Sequence, residues 1–266
     1  MLWDTHMHCY FSGDSESSPQ DMIESAIQKG LSGICFTDHQ DVDYRRTPGL
    51  FDLDFDRYQL EIMELKEKYR NRIEICWGVE LGLQPHVVDE NLNIAHSYPF
   101  DFIIGSSHIV DHIDIYFPSY YEGRTELGAY RRYFESVLEN VLTDADYDVY
   151  GHLDYVVRYG PNKNLYFSYE KYADLIDEIL RILISKGKGL ELNMAGFKYG
   201  LGHPNPTEDI LKRYRNLGGE IITLGSDGHK PDQIAWDYEK VPELLEQAGF
   251  QYYTVFKNRK PQFIKL

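Results

Sequence analysis

The chain has 266 residues, of which 42% are hydrophobic and 26% charged, a composition typical of globular proteins. Its 43 acidic and 27 basic residues give a formal net charge of −16, which disfavours binding to nucleic acids. No apolar stretch approaches the roughly 20 residues that span a bilayer, and polar residues near the start interrupt the apolar core of a signal peptide. We therefore expect a cytoplasmic protein with one domain over residues 1–266 and with neither membrane nor nucleic-acid partners.

Seven short apolar runs recur along the chain, separated mostly by stretches with helical periodicity. The runs are rich in Ile, Val, Leu and aromatic residues, as are strands buried on both faces of a parallel sheet. They span residues 2–6, 33–39, 73–80, 101–108, 148–154, 189–194 and 221–229. Helices are predicted over 18–30, 54–70, 124–142, 169–187 and 206–219, whereas segment 84–99 is less regular.

This alternation predicts an α/β domain with a parallel sheet, either open and doubly wound or closed into a barrel. The ends of the runs favour the barrel, because there all carboxyl ends of the strands meet at one mouth. Residues able to carry chemistry lie at or near these ends: His6, His8, His39, Glu80, His108, His152, Asp227 and His229.

These residue types are those of a metal site. Residues i and i+2 of an extended segment point to the same side, so His6 with His8 and Asp227 with His229 each form a convergent pair. Imidazoles and carboxylates without thiolates suit Zn, Mn or Fe. Four ligands complete a tetrahedral site, so this larger set indicates two or three metals with bridging carboxylates. Such a cluster activates a bridging water for in-line displacement at phosphorus.

Several nearby residues receive a different interpretation. Asp4 precedes the first pair on the same face, and a supporting role is expected for it. Cys9 is interpreted as a neutral neighbour rather than a ligand, while Cys35 and Cys76 lie in apolar runs and are predicted to be buried thiols. Three histidines outside the pattern are predicted to lie on the surface: His86, His96 and His112.

The order of the motifs resembles that of the polymerase-and-histidinol-phosphatase (PHP) superfamily. The motifs are His6-x-His8, Asp14, "TDH" at 37–39, Glu80, "SSH" at 106–108, "GHLD" at 151–154 and "SDGH" at 226–229. Within that superfamily, segments 152–160 and 191–206 are similar to the monofunctional L-histidinol-phosphate phosphatases. The resemblance runs from residue 4 to residue 229, which is most of the chain.

The resemblance implies an α/β fold, a distorted seven-stranded (β/α)7 barrel that is TIM-barrel-like, with a centre of three divalent metal ions (Zn, Mn or Fe). One metal would be held by His6, His8, Glu80 and Asp227. Glu80 would bridge to a second metal, held also by His108 and His152. The third would be held by Asp14, His39 and His229. The residues alone indicate a turn or helix-cap role for Asp14, and between Asp38 and His39 the resemblance selects His39.

The implied reaction is hydrolysis of a small phosphomonoester, L-histidinol phosphate, to L-histidinol and phosphate in histidine biosynthesis. A hydroxide bridging two metals would attack phosphorus, and Arg158 would stabilise the equatorial oxygens. Asp14, His39 and His229, near the third metal, complete the predicted catalytic set.

The substrate needs cationic partners besides metals. Arg158 follows the His152 strand and can hold two phosphate oxygens, and Lys198 follows the sixth strand in the same way. Similar enzymes usually have arginine at the position of Lys198, which leaves the exact substrate open. Four polar residues near strand ends are candidates for the ammonium and imidazole of the substrate: Asp154, Glu191, Asn193 and His203.

Other functions stay open at this point. A PHP-type phosphatase could act on another small ester such as a nucleotide, and amidohydrolase barrels also begin with a His-x-His motif. A non-catalytic metal-binding protein is the third alternative. The oligomeric state is not predicted. Residues 252–266 are predicted to form a last edge strand or a tail under the barrel, and a helix after Trp236 could serve as a lid or as a brace.

Overall fold

The computed structural model describes residues 2–266, and parallel strands at its centre coincide with the seven apolar runs. Each run contains one strand of the central sheet. The strands of the described residues are β1 (Trp3–Asp4), β2 (Gly33–Phe36), β3 (His39–Gln40), β4 (Glu74–Gly82), β5 (Phe102–Ser106), β6 (Ile109–Val110), β7 (Ile113–Asp114), β8 (Val149–Tyr150), β9 (Gly189–Asn193), β10 (Ile222–Gly225), β11 (Tyr252–Lys257) and β12 (Lys260–Lys265).

The central sheet closes into a nearly complete barrel. Its strand order is β1-β2-β4-β5-β8-β9-β10, and every neighbouring pair is parallel. The first and last strands meet through backbone hydrogen bonds from Thr5 to Leu224 (2.8 Å) and from His8 to Gly228 (2.9 Å). Because β1 and β8 are only two residues long, the barrel is irregular. The predicted distorted seven-stranded barrel is confirmed.

Helices connect the strands on the outside of the barrel. They are α1 (Pro19–Gln28), α2 (Phe55–Tyr69), α3 (Val88–Ser97), α4 (Glu126–Leu142), α5 (Ala173–Ser185), α6 (Ala195–Lys198), α7 (Glu208–Asn216) and α8 (Val241–Ala248). Side chains of Ser18, Asp54 and Thr125 accept hydrogen bonds from the first turns of α1, α2 and α4, which fixes where these helices begin. Among residues 2–266, no helix has both the length and the apolar character needed to cross a membrane.

Segment 84–99, which the sequence presents as less regular, contains α3. Its apolar positions are few, and only Asn91 and Ala95 of this helix are buried. Asn91 donates a side-chain hydrogen bond to the carbonyl of Gly82 (3.1 Å). A polar anchor therefore holds a helix that hydrophobic periodicity does not reveal.

The C-terminal part closes the end of the barrel opposite the predicted ligands. Strands β11 and β12 form an antiparallel hairpin, and α8 packs against α7. Thr254 accepts a hydrogen bond from the backbone of Ile222 at the start of β10, and Arg259 donates its backbone N–H to the carbonyl of Asp101, just before β5. The predicted tail under the barrel is thus a hairpin, and α8 is a brace rather than a lid.

Arg259 is the main charged contact between the hairpin and the barrel. Its Nε donates to Asp148 Oδ2 (2.7 Å) and its Nη2 to Asp146 Oδ1 (3.0 Å). Burial raises the pKa of Asp148, and Arg259 opposes that rise. The guanidinium therefore compensates a carboxylate that has lost most of its water.

We predict that Arg259→Ala lowers the free energy of unfolding at neutral pH by about 1.5–3 kcal/mol, as expected for lost hydrogen bonds to a charged group. The loss should shrink as the pH falls, because the folded-state pKa of Asp148 is raised and its protonated form needs no cation. Urea unfolding of the metal-saturated protein measures both effects, with exposed Lys260→Ala as the control. An equal loss at all pH values would contradict this account.

Candidate metal centre

The structure brings all nine predicted ligands together at the carboxyl ends of the barrel strands. Seven of them are buried, and Asp14 and His229 lie toward solvent. The set comprises His6, His8, Asp14, His39, Glu80, His108, His152, Asp227 and His229.

Four ligand atoms converge at the end of β1. Glu80 Oε2 lies 3.1 Å from His6 Nε2 and 3.5 Å from His8 Nε2, and Asp227 Oδ1 lies 3.5 Å from His8 Nε2. Ligands about 2.0–2.2 Å from a tetrahedral metal are separated from one another by about 3.3–3.6 Å. Two of these distances fall in that range, and the 3.1 Å distance and the 3.9 Å between His6 Nε2 and Asp227 Oδ1 lie just outside it, so one ion fits after small side-chain shifts.

The hydrogen bonds of this group indicate what it lacks. His6 Nδ1 donates to Glu191 Oε1 (2.6 Å), which makes Nε2 the atom that can ligate a metal. His8 Nδ1 contacts Ser12 Oγ (3.1 Å), whose own proton goes to Asp38 Oδ1 (2.8 Å). The ring must therefore donate here, and His8 Nε2 is unprotonated.

The Nε2 atoms of His6 and His8 lie 3.1 Å apart, so a single ion can contact both once His6 has lost its second proton. Beside them, Glu80 Oε2 is buried and has no hydrogen-bond donor among residues 2–266. Buried polar atoms rarely stay unpaired, and one bound cation would interact favourably with all three of these atoms. The donor set fits a divalent metal.

A second group shares the Glu80 carboxylate. Glu80 Oε1 lies 3.3 Å from His108 Nε2 and 3.0 Å from His152 Nε2. His108 Nδ1 donates to Asp41 Oδ1 (2.9 Å), which again makes Nε2 the atom that can ligate. Because the two oxygens of Glu80 face different histidine pairs, this carboxylate can bridge two metals.

A third group lies at the solvent side. His229 Nε2 is 3.1 Å and His39 Nε2 3.7 Å from Asp14 Oδ2. His229 Nδ1 donates to the backbone carbonyl of Asp227 (3.1 Å), which directs Nε2 at the Asp14 carboxylate. The ring of His8 stacks on those of His39 and His229, each with a centroid distance of 4.2 Å. The third group is therefore continuous with the first.

The ionisation of these groups reflects burial and mutual attraction. Burial works to raise the pKa values of Glu80 and Asp227. The imidazole of His6 and its neighbours hold the pKa of Glu80 well below the usual range. The guanidinium of Arg158 does the same for the pKa of Asp227. Burial, together with His39 and His229, lowers the pKa of His8. Both carboxylates are thus ionised and His8 is neutral, as metal ligation requires.

Burial works to lower the pKa values of His6 and His108, but Glu191 and Glu80 for His6, and Asp41 and Glu80 for His108, raise them above the usual value. These two rings therefore favour a second proton, which a bound metal ion would displace.

Two glycines leave the space that the ligand supports need. A Cβ at Gly225 would lie 2.0 Å from Glu191 Oε1 and 2.6 Å from His6 Cβ. A Cβ at Gly82 would lie 1.9 Å from Asp41 Oδ1. These positions exclude other residues because the carboxylates that orient His6 and His108 occupy the space.

Arg158 and Lys198 line the same cavity as the metal group, a cavity of about 400 Å³. Arg158 is buried and donates to Asp227 Oδ2 (2.6 Å), Asn193 Oδ1 (2.9 Å) and Asn205 Oδ1 (2.8 Å). Of the five N–H groups of a guanidinium, two remain. Lys198 Nζ donates to the backbone carbonyl of Asp227 (2.8 Å).

The four polar candidates for binding the rest of the substrate lie elsewhere. None of them lines the cavity, and each has a partner in the fold. Asp154 accepts from Asn205 and from the backbone of Thr207, while His203 Nδ1 contacts the carbonyl of Pro204. Glu191 and Asn193 support His6 and Arg158, as described above. The expectation that these residues face the substrate is not supported.

The three cysteines and Asp4 have the roles that the sequence predicts for them. Cys9 donates its thiol to Asp38 Oδ2 (3.1 Å), and burial raises its pKa, so it is a protonated neighbour and not a ligand. Asp4 accepts from the backbone of Ser226 (3.0 Å) and Ala235 (2.9 Å), which fixes the segment carrying Asp227. Cys35 and Cys76 are buried free thiols.

Sequence reasoning missed the residues that orient the histidines. Ser12 and Asp38 act on His8, Asp41 on His108, and Glu191 on His6. A weak signal existed, because "TDHQD" places Asp38 and Asp41 on either side of His39. Acceptors next to ligating histidines are a regular feature of metal sites.

A model of the PHP domain family matches residues 4–195. The match covers well over half of the sequence and includes seven of the nine predicted ligands. The chain belongs to the PHP domain family, which confirms the resemblance seen in the motifs.

Named relatives match the chain over almost its full length. The histidinol-phosphatase of Lactococcus lactis subsp. lactis is 35% identical over 262 residues, which cover 97% of this chain and 95% of the relative. A protein named probable histidinol-phosphatase from Clostridium acetobutylicum is 30% identical over 254 residues, covering 94% and 95%. A crystal structure of the Lactococcus lactis histidinol phosphate phosphatase, complexed with Zn, L-histidinol and phosphate, matches with a TM-score of 0.91 over 98% of both chains.

We predict that Ser12→Ala weakens metal binding by about 10–100-fold, the usual effect of losing a group that orients a ligating histidine. Competition with a chromophoric chelator measures the affinity, and exposed Ser185→Ala is the matched control. Activity should return at saturating metal, because the ligands themselves remain. If Ser12→Ala binds metal like the parent, the Ser12–Asp38 pair does not orient His8.

Proposed function

We propose that this chain is a metal-dependent histidinol-phosphatase, which hydrolyses L-histidinol phosphate to L-histidinol and phosphate. The observation that carries the proposal is one cavity in which a metal-ligand cluster, two cations and an aromatic wall with a carboxylate meet. The full-length similarity to an enzyme crystallised with Zn, L-histidinol and phosphate supports the substrate. Residues 1–266 would act as a single domain.

The proposed centre takes three divalent ions, Zn, Mn or Fe. His6, His8, Glu80 and Asp227 would hold one, Glu80, His108 and His152 a second, and Asp14, His39 and His229 the third. When bound, such ions lower the pKa of a coordinated water and polarise phosphate oxygens. The converging Nε2 atoms of His6 and His8 and the unpaired Glu80 Oε2 support this assignment.

The phosphate end of the substrate would bind beside Arg158. Its two remaining N–H groups can donate to phosphate oxygens while the other three keep the guanidinium fixed. Lys198 adds a second positive charge from the same wall. In the reaction, an O–P bond to water forms, the ester P–O bond breaks, and the leaving alkoxide takes up a proton. Arg158 would neutralise charge on the equatorial oxygens during this step.

Another part of the cavity lining suits an aromatic cation. Asp114 lines it and holds hydrogen bonds from Tyr44 Oη (2.9 Å) and the backbone of Tyr116 (2.8 Å). Rings of Tyr155, Tyr159 and Phe117 complete this wall. An ammonium group is attracted to aromatic faces and an imidazole stacks on them, while Asp114 can accept from either. A nucleoside monophosphate would bring ribose and an uncharged base here, and so would leave Asp114 without a cation.

Phosphate release from a panel of esters tests the proposal. With the metal-loaded protein, kcat/KM for L-histidinol phosphate should exceed the values for nucleotide and sugar phosphates by more than about 100-fold, or ~2.7 kcal/mol. Comparable turnover of several esters would indicate a general phosphatase on the same scaffold. Turnover of a nucleotide in preference to histidinol phosphate would overturn the substrate assignment.

Lys198 is tested separately. Lys198→Met keeps much of the apolar stem but removes the charge, so KM should rise by roughly 10–150-fold, the equivalent of about 1.5–3 kcal/mol for a hydrogen bond to a charged group. A smaller change is expected in kcat, because Arg158 remains. Steady-state kinetics measure both, and exposed Lys260→Met is the control. An unchanged KM would exclude Lys198 from phosphate binding.

A further inference from the structure

Two histidines that sequence reasoning leaves on the surface meet at the rim of the barrel mouth. His86 Nε2 lies 2.9 Å and His112 Nδ1 3.6 Å from Asp43 Oδ2, and the two imidazole rings have a centroid distance of 5.0 Å. These three residues, here called the rim triad, come from three different loops. None of them lines the cavity of the metal centre.

The geometry points to a separate site for a divalent transition metal such as Zn²⁺, which we propose is bound by Asp43, His86 and His112. Two imidazoles and one carboxylate form a regular three-residue zinc set, with a fourth position left for water. Ligands of a tetrahedral ion are separated by about 3.3–3.6 Å. The 3.6 Å distance from His112 to Asp43 falls in this range, and the 2.9 Å distance from His86 to Asp43 is slightly shorter. Small side-chain movements would complete the site.

The three ligands are held in place before any metal arrives. The carbonyl of Val42 accepts a hydrogen bond from Gln84 (2.9 Å), which joins the backbones that carry Asp43 and His86. His112 occupies the turn between β6 and β7, and Arg132 fixes its neighbour Asp111 through a hydrogen bond of 2.8 Å. Pre-positioned ligands reduce the conformational entropy that binding costs.

Backbone conformation also sets these positions apart. Asp43 (φ 61°), Asp111 (φ 52°) and His112 (φ 63°) adopt the left-handed region although none is glycine. A two-residue hairpin turn of this type usually contains Asn-Gly, whereas here it contains Asp-His. Such strain tends to persist where a side chain serves a function. In this turn it aims an imidazole at Asp43.

Arg45 would compete with a metal ion for the carboxylate of Asp43. Its Nε lies 3.0 Å and 3.1 Å from the two Asp43 oxygens, and its Nη2 lies 2.9 Å from Oδ2. Hydrogen bonds from Arg45 and His86 hold the pKa of Asp43 at about 2, so the carboxylate is ionised at any physiological pH. About half of the Arg45 side chain is exposed, so the guanidinium can move into solvent when an ion takes its place.

Metal at the rim triad would connect loops that frame the substrate cavity. The loop after β3 carries Asp43 and also Tyr44, which donates to Asp114 at the end of β7. Tyr44 and Asp114 both line the cavity. An ion bound to Asp43 and His112 would therefore restrain two cavity walls from outside.

The test counts metal in protein whose central site is already loaded. After equilibrium dialysis against a micromolar excess of Zn²⁺, elemental analysis should show one more equivalent in the parent than in the His86→Ala, His112→Ala double variant. His96→Ala, which removes an exposed histidine elsewhere, should bind as the parent does. Arg45→Ala should bind the additional ion several-fold more tightly. Equal stoichiometry in the parent and the double variant would overturn the proposal.

Hydrogen exchange tests the connection between the loops. Added Zn²⁺ should slow amide exchange in residues 42–54 and 109–116 of the parent several-fold, and should leave the double variant unchanged. Unaltered exchange in a parent that binds the additional ion would overturn the restraint of the cavity walls. Since neither readout uses substrate turnover, failure here is distinguishable from failure of the proposed phosphatase activity.

Discussion

The structure depends on a buried cluster of imidazoles and carboxylates whose charges a cation must balance. His6 and His8 bring their Nε2 atoms within 3.1 Å of each other, and Glu80 adds a buried oxygen without a hydrogen-bond partner. Unmade contacts of this kind cost about 1–3 kcal/mol for each buried polar group. The surrounding fold maintains them because Glu191 and Ser12 hold the far side of each ring. Barrel closure and metal binding are therefore coupled, because the segment that follows β1 carries both histidines and also forms the seam with β10 and the residues after it.

Arg158 connects this cluster to the substrate wall. Its guanidinium donates to Asp227, a proposed metal ligand, and lies 5.0 Å from the ring centroids of both Tyr155 and Tyr199. A lysine could supply the charge but not three fixed donors in one plane. In a chain of net charge −16, a phosphorylated substrate needs such local positive charge, since the overall field opposes its approach. The metals and Arg158 would therefore act together in reversing that field at the mouth.

The sequence was sufficient for the barrel and for most of the centre because both follow from regular strands. Parallel strands bring their carboxyl ends to one mouth, so His39, Glu80 and His108 could be grouped without coordinates. Asp14 lies in a loop, where no periodicity applies, and only the family resemblance identified it. Ser12 was missed for the same reason. Glu191 was placed near the substrate because it lies on a strand, but the missing side chain of Gly225 lets it turn toward His6 instead.

The central and rim groups of proposed metal ligands differ more in burial than in the types of their side chains. Both combine imidazoles with carboxylate, but the central carboxylate Glu80 is buried among histidines, whereas Asp43 on the rim has water and Arg45 as alternatives. An ion at the rim must displace a cation that already satisfies the carboxylate, while an ion at the centre relieves unsatisfied atoms. Affinity should therefore be much higher at the centre. A rim site that is weaker by this margin would fill only when metal is in excess, after the catalytic centre is complete.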